Sequence, residues 1–265
     1  MADVISSVTS LFPKAIQAFE FIQVARAFVD TASTYQSRLA ILQLRLSRCG
    51  EAAGLNLLPD SSDPSKGPQH PLASDPSATR IEDILDNIDQ TLKKARVESD
   101  KWAAAEKEKG VGSADDETYL EPRYRRLKAS IRKIVEKRCS QVTTGALSVK
   151  WALYKKEQCE ALAETLSDLI GQLEDIIKSE EKLKELSQTE VQNMGENLED
   201  ILEVIRDVKI DPYLMAATSA QLKKNKRPPN IGMHADTNHG FMIGQNEGGI
   251  SNISLGQGYT VNHHH

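Results

Sequence analysis

The sequence predicts an all-α protein, a multi-helix bundle over residues 1–227 followed by a flexible Gly/Asn-rich tail over residues 228–265. Three observations carry that expectation. Leu, Ala, Glu and Lys are abundant while aromatics make up only 5%, a balance that favours helices over a sheet-rich core. Apolar side chains recur every three or four residues through successive segments, the spacing that lines one face of a helix. The pattern stops before Pro228 and Pro229, a pair that cannot continue a helix and holds the chain extended. At 265 residues with 39% hydrophobic and 27% charged, the chain is long enough to bury a sizeable core.

The first segment, residues 4–29, places Val4, Val8, Leu11, Phe12, Ala15, Phe19, Ile22 and Ala25 near one face of a helix, with Pro13 kinking it or starting it afresh. Between Asp3 and Asp30 its only charges are Lys14, Glu20 and Arg26. Two readings stand: a core helix of a bundle, or a conditional membrane segment whose sparse charges are buried by pairing or oligomerisation. A second helix is expected from about Thr34 to Cys49, with Leu39, Leu42 and Leu46 inward, Arg38, Arg45 and Arg48 off that stripe, and Gly50 and Gly54 as stop signals. Residues 59–76 hold five of the ten prolines and read as an exposed loop.

Thr79 and Glu82 have the spacing of a capping box, opening a helix that carries Ile81, Leu85, Ile88, Leu92 and Ala95. Pro122 suits the first turn of the next helix, whose stripe is Leu127, Ile131, Ile134 and Val135. That helix is unusually basic, with Arg123, Arg125, Arg126, Lys128, Arg132 and Lys133 among its cations. Either these form a solvated face paired with the acidic helices downstream, or they meet anionic lipid headgroups, at roughly 1 kcal/mol per basic residue near a charged surface. From Ala146, two heptad-like runs follow, Trp151 with Leu162 to Ile176 and then Val191 to Ile205, as in antiparallel bundle helices. Glu157, Glu160, Glu164, Asp168, Glu174 and Asp175 then read as outward faces. Asp211 and Pro212 end the pattern, and Tyr213 to Ala217 is a short apolar cap.

The tail differs from everything before it. Seven of fifteen glycines lie beyond Asn230, with Asp236 and Glu247 the only acids, so as a lone chain it cannot bury enough apolar area to fold. Around Met242 and Ile243 it is nearly palindromic: Asn238 and Gly240 face Gly244, Asn246 and Gly248, with Phe241 and Gln245 between. Stacked copies escape the limit on folding. Backbones then pair along the stack, Asn and Gln form ladders, and the apolar groups Phe241, Met242, Ile243 and Ile250, Ile253, Leu255 close dry interfaces. The alternative is a flexible tail with no ordered state.

The net charge of −5 argues against nucleic acid as a main partner. Cys49, Cys139 and Cys159 are isolated and odd in number, which indicates neither a disulfide framework nor a zinc site and fits a reducing cytoplasm. No cofactor, metal site or catalytic motif is expected, and the chain does not read as an enzyme. It carries neither a secretory signal nor a constitutive membrane span. His263 to His265 match the stub of an expression tag.

Three separated stretches, Phe19 to Arg26, Arg38 to Ala52 (with Arg45, Leu46, Arg48 and Gly50) and Lys150 to Lys155, resemble the HeLo domain of fungal HET-S-type incompatibility proteins. The tail core, Phe241 to Asn246, is similar to the pseudo-palindromic PP motif of fungal amyloid signalling proteins of the HELLP type, itself related to the RHIM motif. The resemblance implies a helical domain that rests in the cytoplasm, oligomerises when triggered and permeabilises the plasma membrane. It further implies self-assembly as amyloid through Asn238, Gly240 to Asn246, Gly248, Ile250, Ile253 and Leu255, templated by a NOD-like receptor with a matching motif. The membrane-facing set would be Val4, Val8, Leu11, Phe12, Phe19, Ile22 and Phe28. A non-toxic adaptor or inhibitor that co-assembles through the same motif, and a plain helical scaffold, are the alternatives.

Overall fold

The computed structural model describes residues 2–24, 29–55, 77–107, 121–139, 151–195, 198–208 and 210–225. The chain divides into two units, residues 1–225 and 226–265, and every described residue belongs to the first. Helix α1 runs Ala2–Ala18, with Pro13 inside it rather than ending it. A single 3₁₀ turn, Phe19–Phe21, leads into strand β1, Ile22–Val24. Then come α2 (Val29–Ala52), α3 (Ala78–Lys107), α4 (Pro122–Arg138), strand β2 (Trp151–Leu153), α5 (Lys156–Ile177), α6 (Glu180–Met194), α7 (Leu198–Val208) and α8 (Pro212–Asn225).

The architecture is the helical bundle the periodicity predicts, organised around α2. Residues 41–50 of α2 are buried without exception, which marks a helix surrounded by others rather than one with a single inward stripe. Helices α1, α4, α5, α6 and α7 all contact α2, while α3 covers α1 and α5 from outside. Helix α2 closes with a Schellman motif. The Leu55 N–H donates to the Gly50 carbonyl at 2.8 Å and the Gly54 N–H to the Glu51 carbonyl at 3.1 Å, with Gly54 at φ 72° supplying the left-handed turn. Gly54 is therefore the stop signal, and Gly50 lies inside the helix, contrary to the sequence expectation.

Three further expectations are corrected. The apolar stretch to residue 29 is not one helix, because Ile22 to Val24 pair in parallel with Trp151 to Leu153 in register Ile22↔Trp151. Helix α3 begins at Ala78, so Thr79 sits within the first turn and is no N-cap. Asp211 does not merely end a pattern: its Oδ1 accepts the Leu214 N–H at 2.9 Å and caps α8. Pro122 does open α4 as expected. The second heptad-like run is divided between α6 and α7, with Gly195 at φ 75° closing α6.

Candidate functional site

Two constructions on α2 define the candidate site, one toward α1 and one toward α6 and α8. On the α1 side, Val8, Phe12, Phe19 and Ile22 are all buried, Phe12 to 1% exposure, while Val4 and Leu11 are half-buried against the same core. Phe28 lies outside the described residues. The Phe12 ring lies directly over Gly50: a Cβ placed there would stand 1.8 Å from the ring's Cζ. Within the last turn of α1, the Gln43 amide donates to the Ile16 carbonyl at 3.1 Å and satisfies one of the acceptors a helix end leaves open. Lys14 and Glu20 stay exposed. A glycine socket and an amide clamp thus seat the N-terminal helix.

On the other side of α2, the side chain of Arg48 is 0% exposed and bridges two buried carboxylates. Its Nη2 stands 2.5 Å from Glu190 Oε2 and 2.8 Å from Asp211 Oδ2, with further bonds from Nε to Glu190 and Nη1 to Asp211. Arg138 of α4 shares Glu190 at 2.5 Å and also pairs with Glu51. Burial alone would lower the Arg48 pKa, but Asp211 and Glu190 outweigh it and hold the guanidinium charged. Arg45 repeats the theme, gripping Glu174 in bidentate fashion and donating to the Ile210 carbonyl at 3.0 Å.

Neither Arg45 nor Arg48 is a surface residue, and Glu174 is not part of an outward face. Sequence reasoning missed this network. The available signal was a pair of arginines inside a run of Leu and Ile with no polar side. Charges so deeply buried require partners.

The basic residues of α4 are divided by the fold. Arg123 pairs with Glu121 and Glu203 and lies over the Tyr124 ring, and Arg126 pairs with Asp200. Arg132 pairs with Glu136 on its own helix, and half-buried Lys128 donates to Gln36. Arg125 and Lys133 are exposed. The structure thus pairs part of this set with acidic α7. All residues named for the amyloid core, Asn238 to Leu255, lie outside the described residues. Among the described residues no group of three His, Cys, Asp or Glu could hold a metal, and no helix is long and apolar enough to cross a membrane.

Burial raises all three thiols: Cys139 to about 11, Cys159 to about 12, and Cys49 further still. The rise from the ordinary 9.0 to about 11 cuts the thiolate fraction of Cys139 at pH 8 roughly 100-fold. Folded protein should therefore label with a thiol reagent at least that much more slowly than unfolded protein, with Cys139 the fastest of the three. The unfolded chain loses these protons first, so the shifts also take away stability as the pH rises above about 9. Full labelling of Cys49 in the folded chain within seconds would contradict the packing around α2.

A bundle with a polar network at its centre and a seated apolar first helix belongs to the class of all-helical domains. The chain belongs to the HeLo family: the family model, described as prion-inhibition and propagation, matches residues 2–204. The family is a cell-death signalling domain rather than an enzyme. The chain is 26% identical over 200 residues to heterokaryon incompatibility protein S of Podospora anserina, and 25% identical over 201 residues to protein s of the same fungus. These matches cover 76% of this chain, but 65% and 66% of the relatives' own length. The HET-s N-terminal domain superposes with a TM-score of 0.69 at 24% identity, covering 82% of this chain and 98% of that one, and a mutant of it with 0.67. That likeness shows the fold.

Proposed function

We propose that this chain is a cell-death executor of the heterokaryon-incompatibility type. It rests in the cytoplasm and permeabilises the plasma membrane after its C-terminal motif is templated into amyloid. The observation that carries the reading is the seating of α1, whose apolar face is held inside the core by Gly50 and Gln43. Residues 2–24 drawn out as one helix would reach about 34 Å, enough for a hydrocarbon core of roughly 30 Å. The resting fold prevents this by turning the chain at Phe19 and pairing Ile22 to Val24 with β2. Stacking of Asn238 to Leu255 onto a template, supplied by a NOD-like receptor with a matching motif, would concentrate the bundles and favour release of α1 toward lipid. Support also comes from the relatives, whose names record heterokaryon incompatibility.

The second reading, a co-assembling adaptor or inhibitor that spares the membrane, draws on Lys14 and Glu20, exposed charges that oppose insertion of α1. Leakage from anionic liposomes separates the two. Full-length protein with preformed fibrils of residues 228–265 should release dye, and protein without seed should not. Absence of seed-dependent release favours the adaptor. Gly244→Pro, which removes a ladder donor and fixes φ, should stop both seeding and release. Normal seeding by that variant would move the amyloid core elsewhere.

A further inference from the structure

We propose that the outward faces of α4 and α5 are the two halves of one contact between copies of this chain, the basic face of one molecule docking on the acidic face of the next. On α4, Arg125, Lys133 and Lys137 are exposed and make no ion pair among the described residues. They lie within about 120° of the helix circumference. On α5, Glu157, Glu164, Asp168 and Asp175 are exposed and fall within about 40° of one another, a line about 27 Å long. Lys156 is the single base of α5 and pairs with Glu160, while Glu136 is the single acid of α4 and pairs with Arg132. Each helix therefore presents one sign of charge outward.

Within one molecule the two faces do not meet. Helices α4 and α5 both pack on α2, with no substantial contact between them. Two complementary patches at different places on one surface make a heterologous contact, which repeats from copy to copy as a ring or an open stack. Glu164 and Asp168 also border a depression of about 340 Å³ lined by Arg38, Ser167 and Ile210, where the two carboxylates outnumber the one guanidinium and can receive the end of a basic side chain. An anionic membrane would use the α4 face alone and leave the α5 line without a partner. Exposed ion pairs are individually weak and screened by salt, so free chains attract each other at low salt and stay apart at physiological ionic strength. In this the inference leans on the proposed stacking of the tail: at the roughly millimolar effective concentration of tethered domains, the contact fixes how neighbouring bundles face each other.

Static light scattering on the seed-free full chain tests this before any fibril forms. The wild type should attract itself at about 20 mM salt and lose that attraction near 0.5 M. Arg125→Glu, Lys133→Glu and Lys137→Glu together should weaken self-association roughly tenfold, as should Glu157→Lys, Glu164→Lys and Asp168→Lys together. A chain carrying both sets keeps the wild-type net charge of −5 and should regain the attraction. An equimolar mixture of the two reversed chains should associate as well. Failure of the double reversal to rescue overturns the proposal. So does loss of binding to phosphatidylserine vesicles on reversing α4 while reversal of α5 leaves self-association unchanged, the outcome of a lipid face. No seed is used, so these outcomes are independent of whether the tail templates amyloid.

Discussion

Glu190→Gln should destabilise the bundle by about 3–5 kcal/mol, the range for breaking a buried ion pair by removing one partner. The substitution keeps the shape of the side chain and takes away only the charge, so packing loss contributes little. What remains is Arg48 with Asp211, and Arg138 with Glu51, two guanidiniums that had shared one carboxylate at 2.5 Å each. The Arg48 side chain, 0% exposed, has no water to turn to. Urea unfolding checks the figure: the midpoint should fall while the slope stays the same. Glu185→Gln, on the exposed face of the same helix, serves as the control and should change stability by about 0.5 kcal/mol or less. A loss below about 1 kcal/mol for Glu190→Gln would mean that solvent reaches the network. Because Asp211 also caps α8, weakening of this cluster should loosen the last helix before the tail first, visible as faster amide exchange over residues 212–225.

The helices were legible because burial on one side writes a three-to-four spacing into the chain, as Leu162, Leu166 and Leu173 show. Helix α2 was legible only in part. It is enclosed on all sides, so its apolar residues form no clean stripe, and its arginines looked like the polar face that an enclosed helix does not have. Their partners are distant in sequence, Glu190 being 142 residues from Arg48, and no local pattern announces such a pair. The same distance hid the parallel pairing of β1 with β2, since a three-residue strand resembles the end of an amphipathic helix. At Gly50, glycine's usual meaning at a helix end pointed to a stop. Its role depends on a ring from another helix. Most of the apolar face of α1 was readable, Val8, Phe12 and Ala15 though not Ile16, but whether that face meets protein or lipid is set by what stands opposite, which in this fold is Gly50.

Gly50→Ala should unseat α1 while leaving the other helices folded. Glycine inside a helix costs about 1 kcal/mol relative to alanine, so propensity alone favours the substitution. The opposing effect is steric: the added methyl would stand 1.8, 2.2 and 2.7 Å from three atoms of the Phe12 ring. At 1% exposure the ring has no free space to slide into. Overpacking of this kind typically costs 1–3 kcal/mol, sometimes more, and a ring driven out of its site forfeits about 3–5 kcal/mol of core burial. Both exceed the gain from propensity, so the sign is destabilising and the strain falls on the contact between α1 and α2. Hydrogen exchange over residues 2–24 should quicken strongly, with little change in α5 and α6. Under the executor reading, the variant should leak anionic liposomes without any seed. Phe12→Ala added to Gly50→Ala should recover part of the stability that Phe12→Ala alone loses, since the new methyl occupies space the ring vacates, and the two costs should fall short of adding. Unchanged exchange in α1 of Gly50→Ala would show that Phe12 is not what holds the helix down. Faster exchange without unseeded leakage would separate the seating of α1 from the membrane lesion and turn the choice toward the adaptor.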